Sequence, residues 1–146
     1  MLTIIKFLHL MSLVVWIGGI IFFSFIAAPG IFKMLPRETA GDVVGDIFPK
    51  YWLMGYMCSI TALITIIILS FLERTYHWNR IGLLVVMVGI TFYSGLVVGA
   101  SARDIKAQIR TVEDQSRKEA LGAEFISRHK ISTILNSTIL ILGVIV

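Results

Sequence analysis

Three uninterrupted apolar runs govern what this chain can become: Phe7 to Ala28, Tyr51 to Leu72 and Ile81 to Ala102. At about 1.5 Å of rise per residue, each can carry a helix through a hydrocarbon layer ~30 Å thick. Lipid offers the backbone no hydrogen-bond partners, so an isolated run of this kind has to be helical. A fourth run, Ile131 to Val146, has 16 residues and would reach only ~24 Å. We expect it to be a fourth crossing that begins below the interface, with Arg128 and Lys130 snorkelling outward; a re-entrant end is the alternative. With 57% hydrophobic and 15% charged residues, charge cannot coat a globule, and the solvent for most of the chain is lipid.

The fold class expected is therefore all-α: an integral membrane, antiparallel four-helix bundle forming one domain over residues 1–146. Crossings fall near 5–28, 50–72, 80–102 and 130–146, with an amphipathic segment at 36–47 and a protruding helical hairpin at 103–129. The first run exceeds a secretory h-region, lacks a basic stretch before it and ends without a small-x-small site, so it is expected to stay attached. Pro29-Gly30 is read as the end of helix one. Pro36 suits the first turn of the amphipathic segment, and Pro49 is expected to break or kink the chain. Tyr51 and Trp52 on one side, and Tyr76 and Trp78 on the other, suit the headgroup level.

Helix three is expected to run to about Glu113 and helix four to start at about Ser116, where Ser116-Arg117-Lys118-Glu119 has the capping-box pattern. Stripes of Ile105, Ile109 and Val112, and of Leu121 and Phe125, suggest either an extended bundle end or a docking surface. Small residues at helical spacing, Gly18 and Gly19, Gly41 and Gly45, and Gly95 and Gly99, are candidates for close helix packing or homodimerisation.

The net charge of +4 is unevenly distributed. Loops one and three together hold ten basic residues, against Lys6, Arg74 and Arg80 on the opposite side. The Lys/Arg bias therefore puts loops one and three in the cytoplasm and both termini outside. The partners this implies are the lipid bilayer and, through the packing faces, a homo-oligomer or larger membrane complex. No basic stripe with interleaved aromatics exists, so nucleic acid is not expected as a partner. The single cysteine, Cys58, allows no intrachain disulfide and belongs to no zinc-ligand spacing.

Against this background His9 stands out as an ionisable group at membrane depth. His9, Ser12, Trp16, Gly19 and Phe23 fall on one helical stripe, which we read as the inward face. Thr61 and Thr65 on helix two, Thr91 and Ser94 on helix three and Asn136 on helix four are expected at comparable depth, forming a polar layer. His9 then either serves as interhelical glue, bonded to Asn136, Ser12 or a threonine, or it ligates haem b or a metal with Trp16 and Asn136 nearby, or carries protons. His129 and Ser132 lie at the other end of the bundle, about 20 Å away, and suit the interface rather than a second axial position. Neither a hydrolase constellation nor a phosphate-cradling glycine loop is present, so an enzyme reading would need a bound cofactor.

The pattern His9-x6-Trp16-x-Gly18-Gly19, then Ala28-Pro29-x2-Phe32 and Ala40-Gly41-x3-Gly45-x2-Phe48-Pro49-x-Tyr51, resembles small four-helix membrane proteins of unknown function. That family has many bacterial members and a eukaryotic branch linked to platinum-drug resistance. Phe125-x3-His129-x2-Ser132-x3-Asn136 extends the likeness over nearly the whole chain. The resemblance implies a four-helix membrane fold more than an activity; we expect a protein of non-enzymatic type in a bacterial inner membrane, acting as an accessory or small-solute or metal-handling component. The helix-one opening is also similar to copper-resistance D-type proteins and HemJ-type protoporphyrinogen oxidases. That second resemblance implies haem held by His9 and a haem-dependent membrane oxidoreductase. A further intramembrane histidine or lysine would accompany it, whereas Lys106, Lys118 and Lys130 lie outside the apolar runs.

Overall fold

The computed structural model describes residues 1–146. Four helical rods make up the chain: α1 (Leu2–Met34), α2 (Arg37–Glu73), α3 (Trp78–Thr111) and α4 (Gln115–Ile145). There are no strands. The first three rods are long and apolar enough to cross a membrane. Packing joins α1 to α2, α2 to α3, α3 to α4 and α4 back to α1, a closed ring of antiparallel neighbours. This is an integral membrane helical bundle.

The register of α1 against α2 can be followed from end to end. Lys6 Nζ meets Glu73 Oε1 at 2.6 Å at the end where α1 begins, His9 lies against Ala62 and Thr65, and Phe23 meets Phe48 and Tyr51 at the far end. Buried residues in the first 21 positions of α1 are His9, Ser12, Trp16 and Ile20, a period of three to four that marks one inward face. The opposite face carries Leu8, Met11, Val15 and Phe22, all exposed as lipid-facing residues should be.

Proline does not punctuate the chain as its sequence suggested. Helix α1 passes through Pro29-Gly30 and stops only at Met34. A π-turn over Phe23–Ala27 comes just before, in which the Ala28 N–H reaches the carbonyl of Phe23. The wider turn gives the proline ring room beside a preceding carbonyl with which it would otherwise clash. Pro49 likewise sits inside continuous α2. It breaks nothing, and the expected amphipathic segment is simply the first turns of that rod, with Pro36 just outside its start. A second π-turn, Ser94–Val98, interrupts α3 where aromatic residues of α2 press against it.

One further expectation is corrected. Asp114, not Ser116, caps α4: its side chain accepts from the Ser116 N–H at 3.3 Å. Glu119 instead accepts from Gln115 Nε2, so the capping box does not form. Tyr51 and Trp52 are buried, at 8% and 4% exposure, against neighbouring helices. They belong to an aromatic ladder running Phe23, Phe48, Tyr51, Trp52, Tyr56 and Phe92, with neighbouring ring centroids 4.6–6.4 Å apart. Tyr76 and Trp78 do stay exposed, stacked on one another at the α2–α3 turn. That turn is set by Arg74, which ends α2 in the left-handed region at φ 53°.

Close approach explains some glycines and not others. A Cβ on Gly95 would collide with the Tyr56 hydroxyl and the Trp52 ring, and one on Gly143 with Ile17. One on Gly19 would meet the tip of Met54. Gly18 has nothing within 4 Å of where a Cβ would stand, so it takes no part in packing within the bundle.

Candidate functional site

His9 is held on α1 with its ring against α2. Its Nδ1 lies 3.1 Å from the Ala62 carbonyl oxygen and 3.0 Å from Thr65 Oγ1. The carbonyl can only accept. The Thr65 hydroxyl directs its own proton to the backbone, with Thr61 O at 2.7 Å and Ala62 O at 3.0 Å, so it too is an acceptor toward the ring. Both contacts therefore require a proton on Nδ1, which leaves Nε2 with its lone pair. No group of the chain bonds Nε2, and it is not sealed away among the buried polar atoms without a partner. One ring nitrogen joins two helices. The other is free.

The remaining polar residues do not form a single layer. Ser12 donates to the His9 carbonyl at 2.7 Å and stays within α1. Thr61 turns away and bonds its own helix at the Met57 carbonyl. Thr91 is buried but bonds Met87 in α3. Asn136 does not reach His9; it lies at the level of Trp16, about 10 Å farther along α1. There, Trp16, Gly55, Thr91 and Asn136 share a cavity of about 10 Å³, room for about one water molecule. The Asn136 Oδ1 and Ser94 Oγ atoms are buried without hydrogen-bond partners. Rods of unequal tilt and start point separate by a turn or two what equal spacing from the ends would align.

His129 is exposed and stacks on Phe125, with ring centroids 6.5 Å apart, and Ser132 is half-buried one turn along. Both remain remote from His9. No group of three or more His, Cys, Asp or Glu residues converges as a metal site.

Sequence reasoning missed the cluster at the start of α2. Lys106 of α3 donates from Nζ to the Gly41 carbonyl at 2.6 Å and pairs with Asp42 at 2.8 Å. Arg110 joins the same Asp42 oxygen at 2.5 Å. The ammonium lies along the Gly41–Gly45 face, where a side chain at Gly45 would crowd it. The two neighbouring cations hold the Asp42 carboxyl below its ordinary pKa, chiefly through their hydrogen bonds. Gly41 and Gly45 are thus a lysine seat rather than a helix–helix contact, a distinction that spacing alone cannot make.

The family described as a domain of unknown function, DUF4149, matches residues 11–111 of this chain. The chain belongs to the DUF4149 family. The matched stretch of this DUF4149 chain contains nearly all of the three apolar rods and the Lys106 seat, while His9, Asn136 and the whole of α4 lie outside it. An uncharacterized protein of Aquifex aeolicus (strain VF5) is 46% identical over 48 residues, 33% of this chain and 35% of that protein. The match therefore spans about a third of that relative's length. No solved structure matches the chain.

Proposed function

We propose that this chain is a non-enzymatic, accessory membrane bundle that handles a small solute or metal, with His9 Nε2 as the atom that meets it. One observation carries the reading: Nδ1–H is committed to Ala62 and Thr65, and the Nε2 lone pair is left without a partner in the chain. Glue between helices needs only the first nitrogen. A ring whose Nδ1–H is anchored on a backbone carbonyl is oriented for ligation through Nε2. A lone imidazole suits a metal that keeps its other ligands, or a solute that donates one hydrogen bond. A homo-oligomer or larger membrane complex would complete such a site. In this reading the chain crosses a bacterial inner membrane four times, with loops one and three in the cytoplasm.

The same ring geometry favours a second reading, a haem b-binding redox protein with His9 as an axial ligand. The donor fits: His9 would hold such a group through Nε2, and the group would supply the redox chemistry.

Purified protein in detergent separates the two. Copper(II) or zinc uptake that is lost in His9→Gln and kept in Thr65→Val supports the first reading. A Soret band lost in His9→Gln supports the second. If wild-type protein takes up neither, or binds equally without the imidazole, Nε2 is not a ligand and the proposal fails.

A further inference from the structure

Three hydrogen-bond donors converge over the Gly95–Gly99 trough of α3, and none of them has a partner in the chain. Trp52 Nε1 lies 3.3 Å, and Arg103 Nη1 3.5 Å, from the point where a Gly99 Cβ would stand. One turn away, the Tyr56 hydroxyl occupies the place of a Gly95 Cβ. Trp52 is only 4% exposed, yet its indole N–H bonds no protein acceptor and points at this trough. Its one polar atom is directed at a place where the helix backbone has no side chain.

Charge singles out the same place. Arg103, Lys106 and Arg110 follow one another along one side of α3. Asp42 takes Lys106 and Arg110, while Arg103 has no carboxylate within 4 Å. A guanidinium, an indole N–H and a phenol O–H are donors for oxygen, and the first carries a full positive charge with fork geometry. Arg103 stands one residue beyond the apolar run that ends at Ala102, the depth of lipid phosphates.

We propose that Arg103, Trp52 and Tyr56 form a binding site for a phosphate oxyanion at the membrane interface, beside Gly99. Arg103 supplies the charge and the two aromatic donors fix orientation, with Tyr56 filling the space over Gly95 and Trp52 Nε1 directed toward Gly99. Phosphate can come from a lipid headgroup or from solution, and the two sources are distinguished by experiment.

The full chain in maltoside micelles is titrated with phosphatidic acid, with diacylglycerol and with inorganic phosphate at constant ionic strength, and binding is read by native mass spectrometry and thermal shift. Phosphatidic acid should bind at least tenfold more tightly than diacylglycerol. That preference should fall at least tenfold in Arg103→Gln and in Trp52→Phe, which keeps the aromatic packing, and persist in Arg117→Gln. Competition by inorganic phosphate would identify free phosphate as an occupant; its absence would identify the headgroup. Equal binding of the two lipids by wild-type protein without phosphate uptake, or equal loss in Arg117→Gln, would overturn the site. If Arg103→Gln does not fold, Trp52→Phe alone decides.

Discussion

Lys106 reaches from α3 to donate to the carbonyl of Gly41 on α2, 65 residues away in sequence, at 2.6 Å. The contact needs little bulk at Gly45, where a Cβ would stand 3.3 Å from the ammonium, a lysine at the right height and a carboxylate beside it. Asp42 completes it. These groups tie the start of α2, outside the apolar run, to the extension of α3.

A pH dependence follows, and its sign is fixed. The pKa of Asp42 in the fold lies below its ordinary value because Lys106 and Arg110 bond the carboxylate. The contribution is therefore fully present above the ordinary carboxylate pKa, about 3.9, and is lost as pH falls through the lower folded value. The difference in Tm between wild type and Asp42→Asn should be constant from pH 7 to about 5 and shrink toward zero in stronger acid. A difference that grows on acidification would contradict the assignment.

The His9 contact gives a smaller effect. In Thr65→Val the ring loses one acceptor and keeps the Ala62 carbonyl. Interhelical hydrogen bonds in membranes contribute about 0.6 kcal/mol on average, so the variant should lose no more than about 1 kcal/mol. Urea unfolding in mixed micelles measures this, and a loss several times larger would mean that Thr65 supports more than His9.

The outline of this molecule was legible in its sequence. Apolar run length located the rods, and the His9–Ser12–Trp16 stripe was read as inward because three residues spaced by three and four share a helix face. The α3–α4 turn also came out within two residues, since polar residues and two aligned stripes frame it. Pro29-Gly30 was misread because a π-turn can accommodate the ring when neighbours hold the rod in place. The burial of Tyr51 and Trp52 was not legible, because an aromatic at the edge of an apolar run has the same local signature whether it faces lipid or the core. The Lys106 seat and the unpaired donors around Gly99 depend on the register between rods, which no single helix encodes.

Buried hydroxyls differ in what their removal does. Ser94 is completely buried, and its Oγ has no hydrogen-bond partner. Burying such a group costs about 1–3 kcal/mol in mutational series, so Ser94→Ala should leave stability unchanged or raise it. Ser70, equally deep in α2, donates to the Ile66 carbonyl at 2.8 Å. Ser70→Ala should therefore be neutral to mildly destabilising, and a reversed order in thermal unfolding would show that Ser94 is satisfied in solution.

Glycine substitutions provide the sharpest test of the packing. At Gly95 an added methyl would overlap the Tyr56 hydroxyl and the Trp52 ring, both held in the aromatic ladder, so relief requires α2 and α3 to move apart. Overpacking of this kind costs about 1–3 kcal/mol. At Gly18 the same methyl meets nothing within 4 Å, and replacing a mid-helix glycine by alanine favours the helix by up to about 1 kcal/mol. Gly95→Ala should thus lower Tm in detergent and Gly18→Ala should hold or raise it. If the two variants moved together, the α2–α3 contact would have to be looser, or the outward face of α1 more crowded, than the packing described above.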